Sequence, residues 1–349
     1  MAENSNFFAL KRVSLEDADE MAVRGFKGEI DLLKKLETVD RVIRLYDYEL
    51  NEEKGTLSVV SNSTQVAILV LTYSQLMEMG ELDMNKILEL RLKSDQAKFD
   101  VSFVRHYWKE MLECLQAIHE HDVVHSDLKP HNFVLVKGRL KLIDFGIANA
   151  IQTDETVNVH RETQIGTPNY MSPESLMDSN AKPSSDSRGR IPSNEPKLMK
   201  LGKPSDVWSL GCILYQMVYA WAPFAHIQNQ MQRCQAIINF KYAIEYPATG
   251  VGGVPVPASL IRTLKKCLNR DQHARPSATE LLSEKDPFLN PVEMSDEAFP
   301  MTEELLGRIL QNVALKCRGK SPTDAELLVS WPKGYLANLR QKLRDGRPL

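Results

Sequence analysis

Apolar positions are most regular between Phe103 and His119, where Val104, Tyr107, Trp108, Met111, Leu112, Leu115 and Ile118 recur at three- and four-residue spacings. That period predicts a helix with one buried side. Further on the period shortens. Phe133-Val134-Leu135-Val136, a Lys137-Gly138 turn and Leu140-Lys141-Leu142-Ile143 read as a hairpin of apolar strands. Residues 7–13 read as a strand. The stretch from about 17 to 37 reads as a helix with Ile30, Leu33 and Leu36 on one side, and Arg41 to Leu50 as the next strand, with Tyr46 and Tyr48 alternating. Residues 178–204 are rich in Ser, Pro, Lys and Asn without apolar period. They read as an exposed, mobile insertion, either a docking or phosphorylation segment or a tolerated surface loop. After Phe288, Leu305, Leu306, Ile309 and Leu310 return to helical spacing, so 291–349 is expected to be a helical extension packing on the large lobe.

Composition narrows this picture further. A chain of 349 residues, 43% hydrophobic, is long enough for about two compact parts. With 43 basic against 46 acidic residues and a net charge of -3, it offers no electrostatic argument for a nucleic acid or an anionic membrane. The longest purely apolar run, Val66 to Leu71, is far short of the roughly 20 residues that span a bilayer. Five scattered cysteines without a Cys-x-x-Cys pair suggest buried thiols in a reduced intracellular compartment, with neither a zinc site nor a disulfide framework. No basic stretch followed by an apolar core and cleavage site marks a secretory signal.

The chemistry lies in three short runs: His125-Ser126-Asp127-Leu128-Lys129-Pro130-His131-Asn132, Asp144-Phe145-Gly146 and Ser172-Pro173-Glu174. Phosphoryl transfer from a nucleotide needs a fixed cage of charge more than it needs covalent roles. These runs supply a carboxylate for the attacking hydroxyl (Asp127), a cation for the moving phosphoryl group (Lys129), and an amide and a carboxylate for magnesium (Asn132 and Asp144). Any one run alone would be weak. Their order and spacing, with Asn132 and Asp144 twelve positions apart at the two ends of the hairpin, make them a set.

The set resembles the eukaryotic protein kinases over roughly residues 7 to 290. That resemblance implies an α+β, two-lobed fold, with a small β-rich N-lobe over 1–80 and a large, mainly α-helical C-lobe over 81–290. By the same resemblance Lys11, in Phe8-Ala9-Leu10-Lys11, would grip the α- and β-phosphates of ATP, with Glu29 as its ion-pair partner; either could instead be a solvated charge. Met77 stands at the gatekeeper position, or is a core methionine, and Glu78-Met79-Gly80 follows as the adenine-binding hinge. Thr167 would hydrogen-bond Asp127 and Lys129. Asp206, in Ser205-Asp206-Val207-Trp208, would anchor the catalytic loop from below, and Arg275 would pair with Glu174. The cofactors implied are ATP and Mg2+.

The text around these motifs, with Ser126 where most such enzymes carry arginine, is similar to the monopolar-spindle kinases of the mitotic checkpoint, of fungal type. That family implies a dual-specificity kinase acting mainly on serine and threonine. Kinetochore or checkpoint proteins would be its substrates, with self-association for trans-autophosphorylation as a further option and neither nucleic acid nor membrane as a partner. The location implied is the nucleus, at kinetochore or spindle, with a cytoplasmic pool. Thr156 aligns with the self-phosphorylated position. Because Ser126 has no charge for a loop phosphate, another base such as Arg161 would have to serve.

Two departures stand against the pattern. Met1 to Asn6 hold no glycine, so the first strands and the glycine-rich phosphate loop are expected to be absent, as in an N-terminally truncated chain. Residues of about 60–75 interrupt the strand that should run from Leu57-Ser58-Val59 into Leu76-Met77-Glu78, as an intron translated in frame would. The alternative function is therefore a catalytically impaired kinase fragment or pseudokinase acting as a scaffold. A small-molecule kinase is disfavoured by Gly166-Thr167 and Ser172-Pro173-Glu174.

Overall fold

The computed structural model describes residues 8–14, 20–50, 72–94, 96–145, 149–150, 157–160, 168–177, 198–291, 303–318 and 321–344. These belong to two units, Met1–Asn290 and Pro291–Leu349.

The first unit begins with a small sheet. Strands β1 (Phe8–Ser14), β2 (Leu45–Leu50) and β3 (Thr72–Glu78) pair antiparallel in the order β1-β3-β2, with Lys11 opposite Gln75 and Ala9 opposite Met77. Helix α1 (Glu20–Lys35) buries Ile30, Leu32 and Leu33, matching the predicted apolar side, and places Glu29 in the interior.

The rest of the unit is mainly helical. After α2 (Met84–Leu92), helix α3 (Val101–His119) is started by Asp100, whose carboxylate accepts from the backbone N–H groups of Ser102 and Phe103 at 2.9 and 3.1 Å. Of its seven predicted positions, Val104, Trp108, Met111, Leu112, Leu115 and Ile118 are fully buried, and Tyr107 is half-buried against the core. Short strand β4 (Val123–Val124) leads to the hairpin β5 (Phe133–Val136) and β6 (Arg139–Leu142), which pairs Phe133 with Leu142 and turns through Lys137 and Gly138, both in the left-handed region. Strand β7 (Asn149–Ala150) pairs with β4, and β8 (Val157–His160) with β9 (Leu198–Leu201).

Helix α4 (Lys203–Tyr219) is apolar nearly all round and runs through the core, which explains why Asp206 in its first turn is 1% exposed. Helices α5 (Gln230–Ile238), α6 (Ala258–Cys267) and α7 (Ala278–Leu281) complete the unit. Cys114, Cys212 and Cys267 are buried in it, and burial pushes the thiols of Cys114 and Cys267 up to about 12, so they stay protonated and unreactive.

Three boundaries differ from expectation. The strand read as Arg41 to Leu50 begins at Leu45; Arg41 to Ile43 leave the sheet and bond to β6 instead, with Leu142 N–H donating to the Arg41 carbonyl and Ile43 N–H to the Leu142 carbonyl. Thr72 to Gln75, read as the end of an insertion, are the start of the central strand. Ser74 and Gln75 are buried there, and the Ser74 hydroxyl has no hydrogen-bond partner among the described residues, a polar burden unusual for the middle of a sheet. Of the region read as the insertion 178–204, residues 198–201 form β9 and Lys203 opens α4, while 178–197 lie outside the described residues, as do Met1–Asn6 and 51–71.

The second unit contains the helices α8 (Glu303–Lys316) and α9 (Trp331–Arg344). The turn before α9, Glu326–Ser330, widens to a π-helix next to Pro332, whose ring cannot take a normal helical hydrogen bond. Lys316 lies over the rings of Trp331 and Tyr335 at 5.2 and 5.1 Å. Leu305 is buried, whereas Leu306 and Leu310 are exposed.

Candidate active site

Asp206 fixes the loop that carries Asp127. One of its carboxylate oxygens accepts from the His125 N–H at 2.9 Å and lies 2.9 Å from His119 Nε2; the other accepts from the Ser126 N–H at 2.9 Å. Ser126 has a φ of 69°, in a region that costs a side-chain-bearing residue about 1–2 kcal/mol, and these bonds hold it there. The turn puts Asp127 at the surface, its side chain 41% exposed, with Lys129 Nζ donating to it at 2.8 Å. A cavity of about 330 Å³ opens beside this pair, lined also by His131, Asn169, Tyr170 and Leu201.

The hairpin then delivers the two expected magnesium ligands. Asn132 is buried, its side-chain oxygen accepting from Lys129 N–H at 3.0 Å, and its backbone carbonyl accepts from Ile143 N–H at 2.9 Å. The residue after Ile143 is Asp144, half exposed at 50% and left-handed with φ 64°. Across the cleft, Lys11 Nζ donates to both carboxylate oxygens of buried Glu29 at 2.9 and 3.1 Å and reaches Asp144 at 3.4 Å. Lys11, Glu29 and Asp144, far apart in the chain, thus form one line of alternating charge.

This donor set fits magnesium. One exposed carboxylate and one amide oxygen are hard ligands that leave most of the octahedron to water and phosphate oxygens. Among the described residues no group of three His, Cys, Asp or Glu side chains makes a closed metal cage, so the ion would come with its nucleotide.

The hinge is tied to the same hairpin. Met77 pairs with Ala9 and Leu45 and packs on the core; Glu78 receives Lys141 of β6 at 2.8 Å. Met79 is exposed. At Gly80 a Cβ would sit 2.0 Å from the Val134 side chain, so only glycine lets the chain pass this close to β5. The next residues bond to β5 on both sides, Glu81 N–H to the Leu135 carbonyl and Leu135 N–H to the Leu82 carbonyl, each 2.8 Å.

Glu174 and Arg275 form a fork-to-fork pair at 2.6 and 2.9 Å, with Ser205 donating to Glu174 at 2.7 Å. Burial pushes the Glu174 carboxyl up, but the Arg275 guanidinium outweighs it and holds the group below its ordinary value. Thr167 and Thr156, together with Arg161, lie outside the described residues.

Several site residues carry no sequence motif. Arg233 donates to Asn169 at 2.7 Å, and Tyr170 is held by Gln216 and Ser209, which fixes the wall of the cavity beside Asp127. Glu110 forks onto Arg41 beneath β6. For Glu110 the chain does hold a signal: Phe103, Tyr107, Glu110 and Cys114 follow one helical spacing, so an acid falls within an otherwise apolar series.

Comparisons with known proteins agree with this geometry. Residues 1–286 match the protein kinase domain model. The serine/threonine-protein kinase mph1 of Schizosaccharomyces pombe is 45% identical over 302 residues, 83% of this chain and 40% of that protein. The serine/threonine-protein kinase MPS1 of Saccharomyces cerevisiae is 43% identical over 82% of this chain and 34% of its own length. The mouse dual specificity protein kinase TTK is 40% identical over 87% and 31%. The chain thus spans well under half the length of these relatives, whose names are those of the family its motifs resemble.

Proposed function

Since the chain belongs to the protein kinase family, we propose that it transfers the γ-phosphate of ATP to serine and threonine hydroxyls of proteins, with dual specificity as in the mouse relative. The observation that carries this reading is the charged line of Lys11, Glu29 and Asp144 together with Asn132, which ties the loop of the Asp127–Lys129 pair to Ile143, the residue before Asp144.

Asp127 accepts the proton of the substrate hydroxyl, or orients that hydroxyl for in-line attack, from its exposed position at the cavity mouth. Lys129, now on Asp127, is placed to neutralise charge on the phosphoryl group in flight. Lys11, steadied by Glu29, meets the α- and β-phosphates, and the hinge of Glu78 to Gly80 meets the adenine edge. Asn132 and Asp144 would hold magnesium, which supplies charge neutralisation at the phosphate oxygens.

The similarity to the monopolar-spindle kinases supports a mitotic checkpoint role, with kinetochore or checkpoint proteins as substrates, residence in the nucleus at kinetochore or spindle beside a cytoplasmic pool, and self-association during trans-autophosphorylation. Within that reading, phosphorylated Thr156 raises turnover through a base such as Arg161, since Ser126 carries no charge. Transfer of labelled γ-phosphate to a generic basic protein tests the function. Magnesium-dependent incorporation is expected, and Thr156→Ala should lower it severalfold. Nucleotide binding without incorporation would replace the enzyme by a scaffold, and unchanged turnover in Thr156→Ala would remove that site from regulation.

A further inference from the structure

The outward edge of β6 sets the problem. Leu140 and Leu142 direct their backbone groups away from β5, into the interior between α3 and the chain that leaves α1. Buried groups of this kind need partners. Leu142 finds them in the backbone of Arg41 and Ile43. One side-chain pair reaches both groups of Leu140: Glu110 accepts from the Leu140 N–H at 2.9 Å, and Arg41 donates to the Leu140 carbonyl at 3.2 Å, an acceptor it shares with the Cys114 thiol at 3.2 Å. The two side chains meet each other through both nitrogens and both oxygens, at 2.7 and 3.0 Å, and are 8% and 10% exposed. Glu113 also meets Arg41, and Arg139 reaches Glu110 and Glu113 at 3.5 and 3.2 Å, so two arginines balance two glutamates. Burial pushes the Glu110 carboxyl up, but Arg41 and the Leu140 N–H hold it below its ordinary value, so the pair stays ionised.

We propose that Arg41 and Glu110 are positioning residues for the nucleotide site, a buried pin that sets the helix bearing Glu29 against strand β6, which leads into Asp144. Arg41 lies six residues beyond the end of α1, and Leu140 lies four residues before Asp144. A pin across those two points fixes the 3.4 Å approach of Lys11, held by Glu29, to Asp144. A fork of two parallel charged hydrogen bonds resists sliding in a way that apolar packing does not. Glu110 sits on α3, in the large lobe, so the pin also fixes both points to the lobe that holds Asp127. The inference rests on the nucleotide-site reading but adds residues that touch neither nucleotide nor substrate.

The test measures two quantities in Glu110→Gln and in Arg41→Met, at a temperature well below the separately measured melting point of each variant. The first is amide hydrogen exchange at Ile43 and Leu142, which involves no nucleotide. The second is affinity for magnesium and a slowly hydrolysed ATP analogue. Exchange at both amides should rise, and affinity should fall about tenfold, or about 1.4 kcal/mol; Arg41→Lys, which keeps a cation but loses the fork, should recover part of each. Faster exchange with parental affinity would show a merely structural pair and overturn the proposal, as would no change in either. If the unmodified protein binds no nucleotide, the kinase reading fails on its own account, and parental exchange in the variants would still refute the pin.

Discussion

Asp127→Asn should lower phosphoryl transfer by about a thousandfold, the middle of the range for loss of a positioned general base and equivalent to about 4 kcal/mol in the barrier. The substitution keeps size and hydrogen-bonding shape but removes the charge that attracts the substrate proton. Its effect on folding should be small. Asp127 is 41% exposed and contributes no backbone contact to the anchor; that is made by the N–H groups of His125 and Ser126 on Asp206. Nucleotide affinity should remain close to that of the parent, because Lys11, Asn132 and Asp144 are untouched. A variant with parental turnover would show that the hydroxyl needs no carboxylate here.

Arg275→Ala should have the largest effect on stability. The guanidinium is fully buried, and its loss strands the Glu174 carboxylate in the interior and removes the donor from the carbonyls of Asn269 and Pro204. Breaking a buried pair from one side costs about 3–5 kcal/mol, which for a unit of this size lowers the melting temperature by roughly 10 °C. The pair also sets a pH dependence. Glu174 has a carboxyl held below its ordinary value in the folded state, so its contribution is full above the unfolded carboxylate value of about 4.3 and is lost as pH falls through the folded value. The stability advantage of the parent over Glu174→Gln should therefore be constant near neutrality and shrink below about pH 4. An advantage that grew on acidification would contradict the ionised pair.

Where period and chemistry coincide, the structure can be read from the chain. Helix α3 has seven apolar positions at helical spacing, and the β5–β6 hairpin has two apolar runs around Lys137-Gly138, so local pattern and global burial point the same way. Asp127, Lys129, Asn132, Asp144 and Glu174 are legible because each belongs to a short ordered motif. What escapes is set by distant partners. Arg41 to Ile43 look like the start of a strand, yet the need to satisfy the edge of β6 draws them out of the sheet. Leu198 to Leu201 are hidden in a polar stretch, and only pairing with Val157 to His160, some forty residues earlier, makes them a strand. Ser74 and Gln75 sit in the central strand because Leu76 and Met77 must pair there and the preceding residues follow. Arg233, Asn169 and Gln216 carry no motif; their roles depend on tertiary contacts alone.

The central claim is that Lys11, Asn132 and Asp144 surround one magnesium-bound nucleotide beside Asp127 and Lys129. It is tested most directly by titrating a slowly hydrolysed ATP analogue into the protein and into Asp144→Asn, with and without Mg2+. Magnesium should strengthen binding to the parent, and that gain should vanish in the variant while metal-free binding persists. An equal gain from magnesium in both proteins would place the metal elsewhere and contradict the account.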